Sequence, residues 1–280
     1  MSDRTGRTDR TDTSGATEPT GDAEGTHEVA AARKANLRPS LELLWGTGER
    51  PARGPKRGLS LDRIVETAVR IADAEGLDTL SMRRLATELG TGTMSLYRYV
   101  PGKTELLDLM LDHVQGEGVE LHDPGAAKDW REAAALIARG TLDLHRRHPW
   151  LLRVNQSRAL LGPRSLHSLE VSLAGLRGMT GFTDPELISV IIALHSFATG
   201  IARLEVEATE AVEETGIDHE SFWEGQQPYL ERAMASGKYP VMAGLAHDAF
   251  TFEFDHFEFG LGRILDGFEV RVAGRGAKEG

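Results

Sequence analysis

Apolar residues return every three or four positions along most of this chain, and no stretch sustains the period of two that marks a strand, so the pattern predicts an all-α fold. Ser60 stands ahead of Leu61, Ile64, Val65, Ala68, Val69, Ile71 and Ala72, which share one face of a first helix that Gly76 stops. Ser81 opens a second, over 82–89, with Leu85, Ala86 and Leu89 inward and Arg83, Arg84 and Glu88 outward. Gly90-Thr91-Gly92 is a tight turn and 93–99 a short third helix, broken by Pro101-Gly102. A fourth helix, 103–114, carries Leu106, Leu107, Leu109, Met110 and Val114.

Beyond it, Pro124, Pro149, Pro163, Pro185, Pro228 and Pro240 punctuate further helices, expected near 129–147, 164–178, 185–213, 219–236 and 249–268. Asp129 with Glu132, and Thr183 with Glu186, have the spacing of capping boxes. The run 187–204 is the most apolar, but it contains His195, Ser196, Thr199 and Arg203 and reads as a buried helix rather than a membrane span. Phe250, Phe254, Phe257, Leu261, Ile264 and Phe268 recur at alternating steps of four and three. Leu187, Ile191, Leu194, Ala198 and Ile201 form a similar seam, and Ile188, Ile192, His195 and Thr199 give that helix a second, largely apolar face, so it must be covered on both sides.

Composition narrows the chemistry. With no cysteine among 280 residues, disulfides and thiolate metal sites are excluded. No phosphate loop, dinucleotide-binding turn or nucleophile elbow is present, which argues against an enzyme, and no cofactor is expected. His145 and His148 lie three apart without a carboxylate at ligand spacing; they read as a basic helix end, and no metal site is expected. Residues 1–57 are expected to be a disordered extension, save for a short helix around Leu41–Trp45, ending in a linker with Arg50, Arg53, Lys56 and Arg57 suited to a minor-groove arm. A head over 58–115, a helical body over 116–270 and a disordered tail over 271–280 complete the expected organisation. The net charge of −11 divides unevenly: −3 over residues 1–49, +1 over 50–115 and −9 over 116–280. Only the head is not acidic, so only the head suits an approach to phosphate.

Two short helices joined by a small-residue turn are the geometry of a helix-turn-helix. The outer side of the third helix offers Thr93, Met94, Tyr97 and Arg98: hydroxyl, apolar, phenolic and cationic groups that match a thymine methyl, a purine edge and phosphates. Thr91 in the turn joins this set, as do Arg83 and Lys103 at the starts of the neighbouring helices. The stretch Leu80-Ser-Met-Arg-Arg-Leu-Ala-Thr-Glu-Leu-Gly90 followed by Thr91-Gly-Thr-Met-Ser-Leu-Tyr-Arg-Tyr-Val-Pro-Gly-Lys103 resembles the TetR family of transcriptional repressors, a match extending over about 60–115. The resemblance implies that Thr93 and Met94 read bases, that Tyr97, Tyr99 and Lys103 contact phosphate and that Arg83 reaches a guanine; Met82 departs from a hydroxyl residue found in some members.

It further implies a cytoplasmic homodimer that binds a palindromic double-stranded operator and releases it when a small-molecule effector enters the body, with no membrane partner. Heads related by a two-fold would stand roughly 34–50 Å apart. The dimer interface is expected along Leu187, Ile191, Leu194, Phe250, Phe254, Phe257, Leu261 and Ile264. For the effector, His195 and Phe197 lead the candidates, with Thr199, Asn155 and His167; 194–200 and 257–261 loosely resemble the tetracycline-repressor type of ligand domain. The alternative is a constitutive or activating DNA-binding regulator without an effector.

Overall fold

A computed structural model describes residues 37–46, 59–155, 160–246, 249 and 254–276. Among them every regular element is helical. α1 spans 37–45. The head comprises α2 (Leu61–Glu75), α3 (Met82–Glu88), α4 (Thr93–Tyr97) and the start of α5 (Lys103–Leu121). The body comprises α6 (Trp130–Arg147), α7 (Pro163–Gly175), α8 (Asp184–Thr215), α9 (His219–Ala235), α10 (Pro240–Ala243) and α11 (His256–Gly276), with short 3₁₀ turns at Pro124–Ala126, Pro149–Arg153 and Leu176–Gly178.

The helix starts follow their caps. Ser60 and Ser81 accept hydrogen bonds from the backbone N–H groups of Arg63 and Arg84. Asp129 accepts from Glu132 N–H, and Thr183 with Glu186 closes a reciprocal capping box at the start of α8. α7 is capped from another helix: the buried Asp112 of α5 accepts from the N–H groups of Arg164 at 3.3 Å and Ser165 at 2.9 Å. Pro228, which the sequence suggests as a break, lies inside α9.

Two apolar cores result. The first joins Ile64, Ala68, Ile71, Leu85, Leu96, Leu106 and Met110 of the head to Leu144, Trp150 and Leu151 of the body. The second packs Ala133, Ala134, Ile137 and Ala138 of α6 against Val190, Ile191, Leu194 and Ala198 of α8 and Phe257, Leu261 and Leu265 of α11. α8 is long and apolar enough to cross a membrane by length and composition, but this stripe is packed inside the protein. α9 contributes no buried residue.

Both ends contain helix: the short one expected around Leu41–Trp45 and, against the expected disordered tail, the last turns of α11. Within 1–57, residues 37–45 are helical, because Leu43 and Leu44 pack on the first core, the buried Ser40 hydroxyl donates to Asp108 at 2.6 Å and Trp45 Nε1 donates to the Leu161 carbonyl at 3.2 Å. Within 271–280, α11 continues to Gly276, because Val272 packs on the second core and Arg271 pairs with Glu186. The basic linker Arg50, Arg53, Lys56 and Arg57 lies outside the described residues. The fourth helix, expected over 103–114, continues past the expected head–body boundary at 115 to Leu121.

Candidate functional site: a nucleic-acid interface and a cavity

α4 is held outward by little material. Gly90, with φ +65°, sits in the left-handed region and lets the chain reverse after α3. The Thr91 N–H returns to the Ala86 carbonyl at 3.0 Å. Leu96, wholly buried, is the one side chain through which α4 enters the core. Around it, Met94 is 77% exposed and Tyr97 44%, Arg98 is exposed, and Thr91 and Thr93 are half-buried. Tyr99 packs partly against the head core, so its ring supports the helix as well as facing outward. Lys103 at the first turn of α5 is exposed and donates to the Leu77 carbonyl at 3.4 Å. Met82 is buried in the head core, which accounts for an apolar residue there.

The cations of the head fall into two groups. Arg84 pairs with Glu75 at 2.5 Å and Glu88 at 2.8 Å, and Arg70 with Glu88 at 3.0 Å, tying α2 to α3. Their hydrogen bonds to Arg84 lower the Glu75 and Glu88 pKa values. Arg63, Arg83, Arg98 and Lys103 form no ion pair among the described residues.

The body holds a cavity of about 760 Å³ between α5, α6, α7 and α8. Ile137, Leu144, Leu151 and Ile192 supply apolar wall, while His145, His195, Ser196, Thr199 and Arg203 supply polar groups. The His195 ring is open to the cavity yet enclosed by protein; desolvation, with His145 adding to it, lowers its pKa to about 4, so it is neutral at pH 7. Burial likewise lowers the His145 pKa, and its Nδ1–H donates to the Thr141 carbonyl at 2.8 Å. Gly118 of α5 and Gly140 of α6 both line the space; a Cβ on Gly140 would lie 3.0 Å from the Gly118 carbonyl oxygen, so the helices cross here backbone to backbone.

His195 and Thr199 lie on the cavity wall, but the other three ligand candidates need correction. Phe197 points to the opposite side of α8, stacked on Phe257 at 5.6 Å and pressed against Gly260 of α11. A turn of 100° per residue separates it from His195 and Thr199. Asn155 and His167 are exposed and outside the cavity lining. Ser196 and Arg203 were not singled out, although their spacing from Thr199 along one helical face is a legible signal.

The dimer seam is corrected too. Ile191, Leu194, Phe257 and Leu261 are buried in the chain's own second core, with Leu187 and Ile264 packed against it. Phe254 is exposed ahead of α11, and Phe250 lies outside the described residues. The free faces of the same helices carry Ala193 and Leu204 on α8 and Phe259, Arg263, Gly267 and Val270 on α11. No cluster of three or more metal-ligating side chains occurs among the described residues.

Known proteins match both parts of the chain. A family model described as bacterial regulatory proteins, tetR family, covers residues 64–110, and one described as tetracyclin repressor-like, C-terminal domain, covers 123–272. The HTH-type transcriptional repressor DrrR1 of Streptomyces coeruleorubidus is 55% identical over 268 residues, 96% of each chain. The Streptomyces coelicolor TetR family protein ActR, in its crystal structure with actinorhodin, superposes with a TM-score of 0.62 and 36% identity over 76% of this chain and 96% of that one. Apo ActR gives 0.57 and 32% over 77% and 98%.

Proposed function

The chain belongs to the TetR family of transcriptional regulators, and from that premise we propose that it is a cytoplasmic, homodimeric repressor that releases a palindromic operator when a small molecule fills the cavity of the body. The carrying observation is that one helix serves both sites. α5 begins at Lys103, beside the exposed face of α4, and its Gly118 lies in the cavity wall against Gly140 of α6. A ligand that spreads this crossing tilts the head; it lowers operator affinity to the extent that it prefers the tilted arrangement.

Within the head, Thr93 and Met94 face base edges, Tyr97, Tyr99 and Lys103 face phosphate, and Arg83, Thr91 and Arg98 flank them. The relative DrrR1 is named a repressor, and ActR has been crystallised with actinorhodin, which supports repression and ligand response here. The cavity suits a mostly apolar ligand with hydrogen-bonding groups for His195, Ser196 and Thr199. For the dimer we propose the free faces of α8 and α11, where Gly267 leaves open space for close helix approach. Selection of bound duplexes from a random pool tests the whole reading: a palindrome with half-sites at a two-fold spacing is expected, and recovery of no enriched sequence refutes it.

A further inference from the structure

The junction between head and body is not only apolar. His148, 3% exposed at the end of α6, places Nδ1 2.7 Å from Asp73 Oδ1 of α2 and Nε2 3.2 Å from Glu117 Oε2 of α5. Trp150 Nε1 donates to the same Asp73 oxygen at 2.7 Å, and Arg147 donates to the same Glu117 oxygen at 3.1 Å. Both ring nitrogens thus face carboxylate oxygens, which only accept. The ring satisfies both only as the doubly protonated imidazolium; a neutral ring leaves one nitrogen lone pair aimed at a carboxylate.

The neighbours on either side in sequence tie this cluster to the cavity. Leu144 and Leu151 belong to the head's apolar core and also line the cavity wall. His145, one turn before His148, lines the cavity as well. The segment 144–151 is therefore cavity wall on one side and head anchor on the other.

We propose that Asp73, Glu117, His148 and Trp150 are positioning residues that hold the head in its operator-binding orientation through a charged bridge, and that an occupant of the cavity acts on the head by opening that bridge. The proposal rests on the regulator reading above. Charged and titratable groups facing His148 are Asp73 from α2, Glu117 from α5 with His113 4.0 Å from it, and Arg147 and His145 from its own helix. Burial by itself lowers the His148 pKa, but the hydrogen bonds to Asp73 and then Glu117 outweigh it and the net direction is up. The bridge is therefore complete at a pH below the ordinary histidine value of about 6.5 and is lost as pH rises through the higher folded-state value.

The test uses the full-length protein and the duplex recovered by the selection described above. Carbon-13 labelling of the histidine rings, with the His148 signal identified by its loss in His148→Gln, follows the ring's titration. Wild-type affinity for the duplex should weaken on the order of tenfold over the pH interval in which that signal titrates. His148→Gln should show no such step, and Asp73→Asn should move the NMR midpoint and the affinity midpoint to lower pH together. A purely structural role would lower the melting temperature without linking these two midpoints. Identical pH profiles for wild type and His148→Gln, or a His148 signal titrating at or below the ordinary value, overturn the proposal. If His148→Gln does not fold, the ring signal whose midpoint moves in Asp73→Asn identifies His148, and wild type and Asp73→Asn carry the same comparison. Wild-type protein that binds no duplex at any pH overturns the underlying regulator reading instead, an outcome distinct from two variants that bind alike.

Discussion

Leu96→Ala should disable the head while leaving the body intact. α4 has five residues and enters the core through Leu96 alone, which is wholly buried, whereas Met94 on the same helix is 77% exposed. Deleting a buried leucine side chain to alanine costs about 2–5 kcal/mol, the larger values where the surroundings cannot collapse into the gap. A factor of ten corresponds to about 1.4 kcal/mol, so the population of docked α4 relative to undocked falls by at least roughly 30-fold. Part of that loss is absorbed if docking is strongly favoured at the start, which leaves an expected drop in duplex affinity of about tenfold or more. Fluorescence anisotropy on the selected duplex reads the affinity, and amide exchange reads where protection is lost. Exchange should accelerate over 93–100 and remain slow in α6 and α8. Met94→Ala is the control: it removes a solvent-facing side chain, so the melting temperature should hold while sequence preference changes. Unchanged affinity in Leu96→Ala, with 93–100 still protected, would refute the argument that a single apolar anchor presents this helix.

Four further outcomes are expected. Lys103→Gln should lower the slope of log affinity against log salt by about one, since one phosphate contact is removed, with melting unchanged; an unaltered slope removes Lys103 from the interface. Phe197→Ala breaks the 5.6 Å stack on Phe257 and, because the ring is only half-buried, should cost about 1–3 kcal/mol by chemical denaturation; a negligible cost would mean that this face of α8 is not core. Gly267→Trp adds bulk where a Cβ meets nothing within 4 Å of the protomer, so helicity should persist while sedimentation shows the dimer lost; a retained dimer moves the interface elsewhere on the body. The His195 pKa is lowered to about 4, so the unfolded chain takes up a proton before the folded one does. Wild-type stability should therefore decline as pH falls from about 6.5 towards 4, and His195→Asn should lessen that decline in melts across the same range; parallel curves would show that the ring is not held neutral by burial.

The head was legible in sequence because its determinants are local. Ser60, Ser81, Gly76 and Gly90 act within a turn of where they stand, and the inward set Leu85, Ala86 and Leu96 follows helical spacing directly. In the body the apolar periodicity located helices correctly but not their partners. A stripe such as Ile191 and Leu194 looks the same whether it meets another helix of its own chain or a second copy, and here α6 and α11 cover it. Phe197 failed as a ligand candidate for a related reason: an aromatic residue between His195 and Thr199 in sequence lies on another face of the helix in space. The His148 cluster draws Asp73 and Glu117 from separate segments, and no spacing rule connects them to 148–150.

Charge within the head shows how a nearly neutral segment can present a positive surface. Residues 50–115 carry a net charge of only +1, too little by itself to draw the head towards DNA. Position matters more than the sum. Arg70 and Arg84 are consumed by Glu75 and Glu88 across the α2–α3 contact. Arg83, Arg98 and Lys103 form no ion pair among the described residues, so no carboxylate is bonded to them in competition with a phosphate. The sequence from 116 onward carries −9, which disfavours the approach of phosphate to the body. The acidic body therefore does not conflict with duplex binding. It biases the encounter towards the head, and that bias should weaken with salt over the same range as the affinity itself.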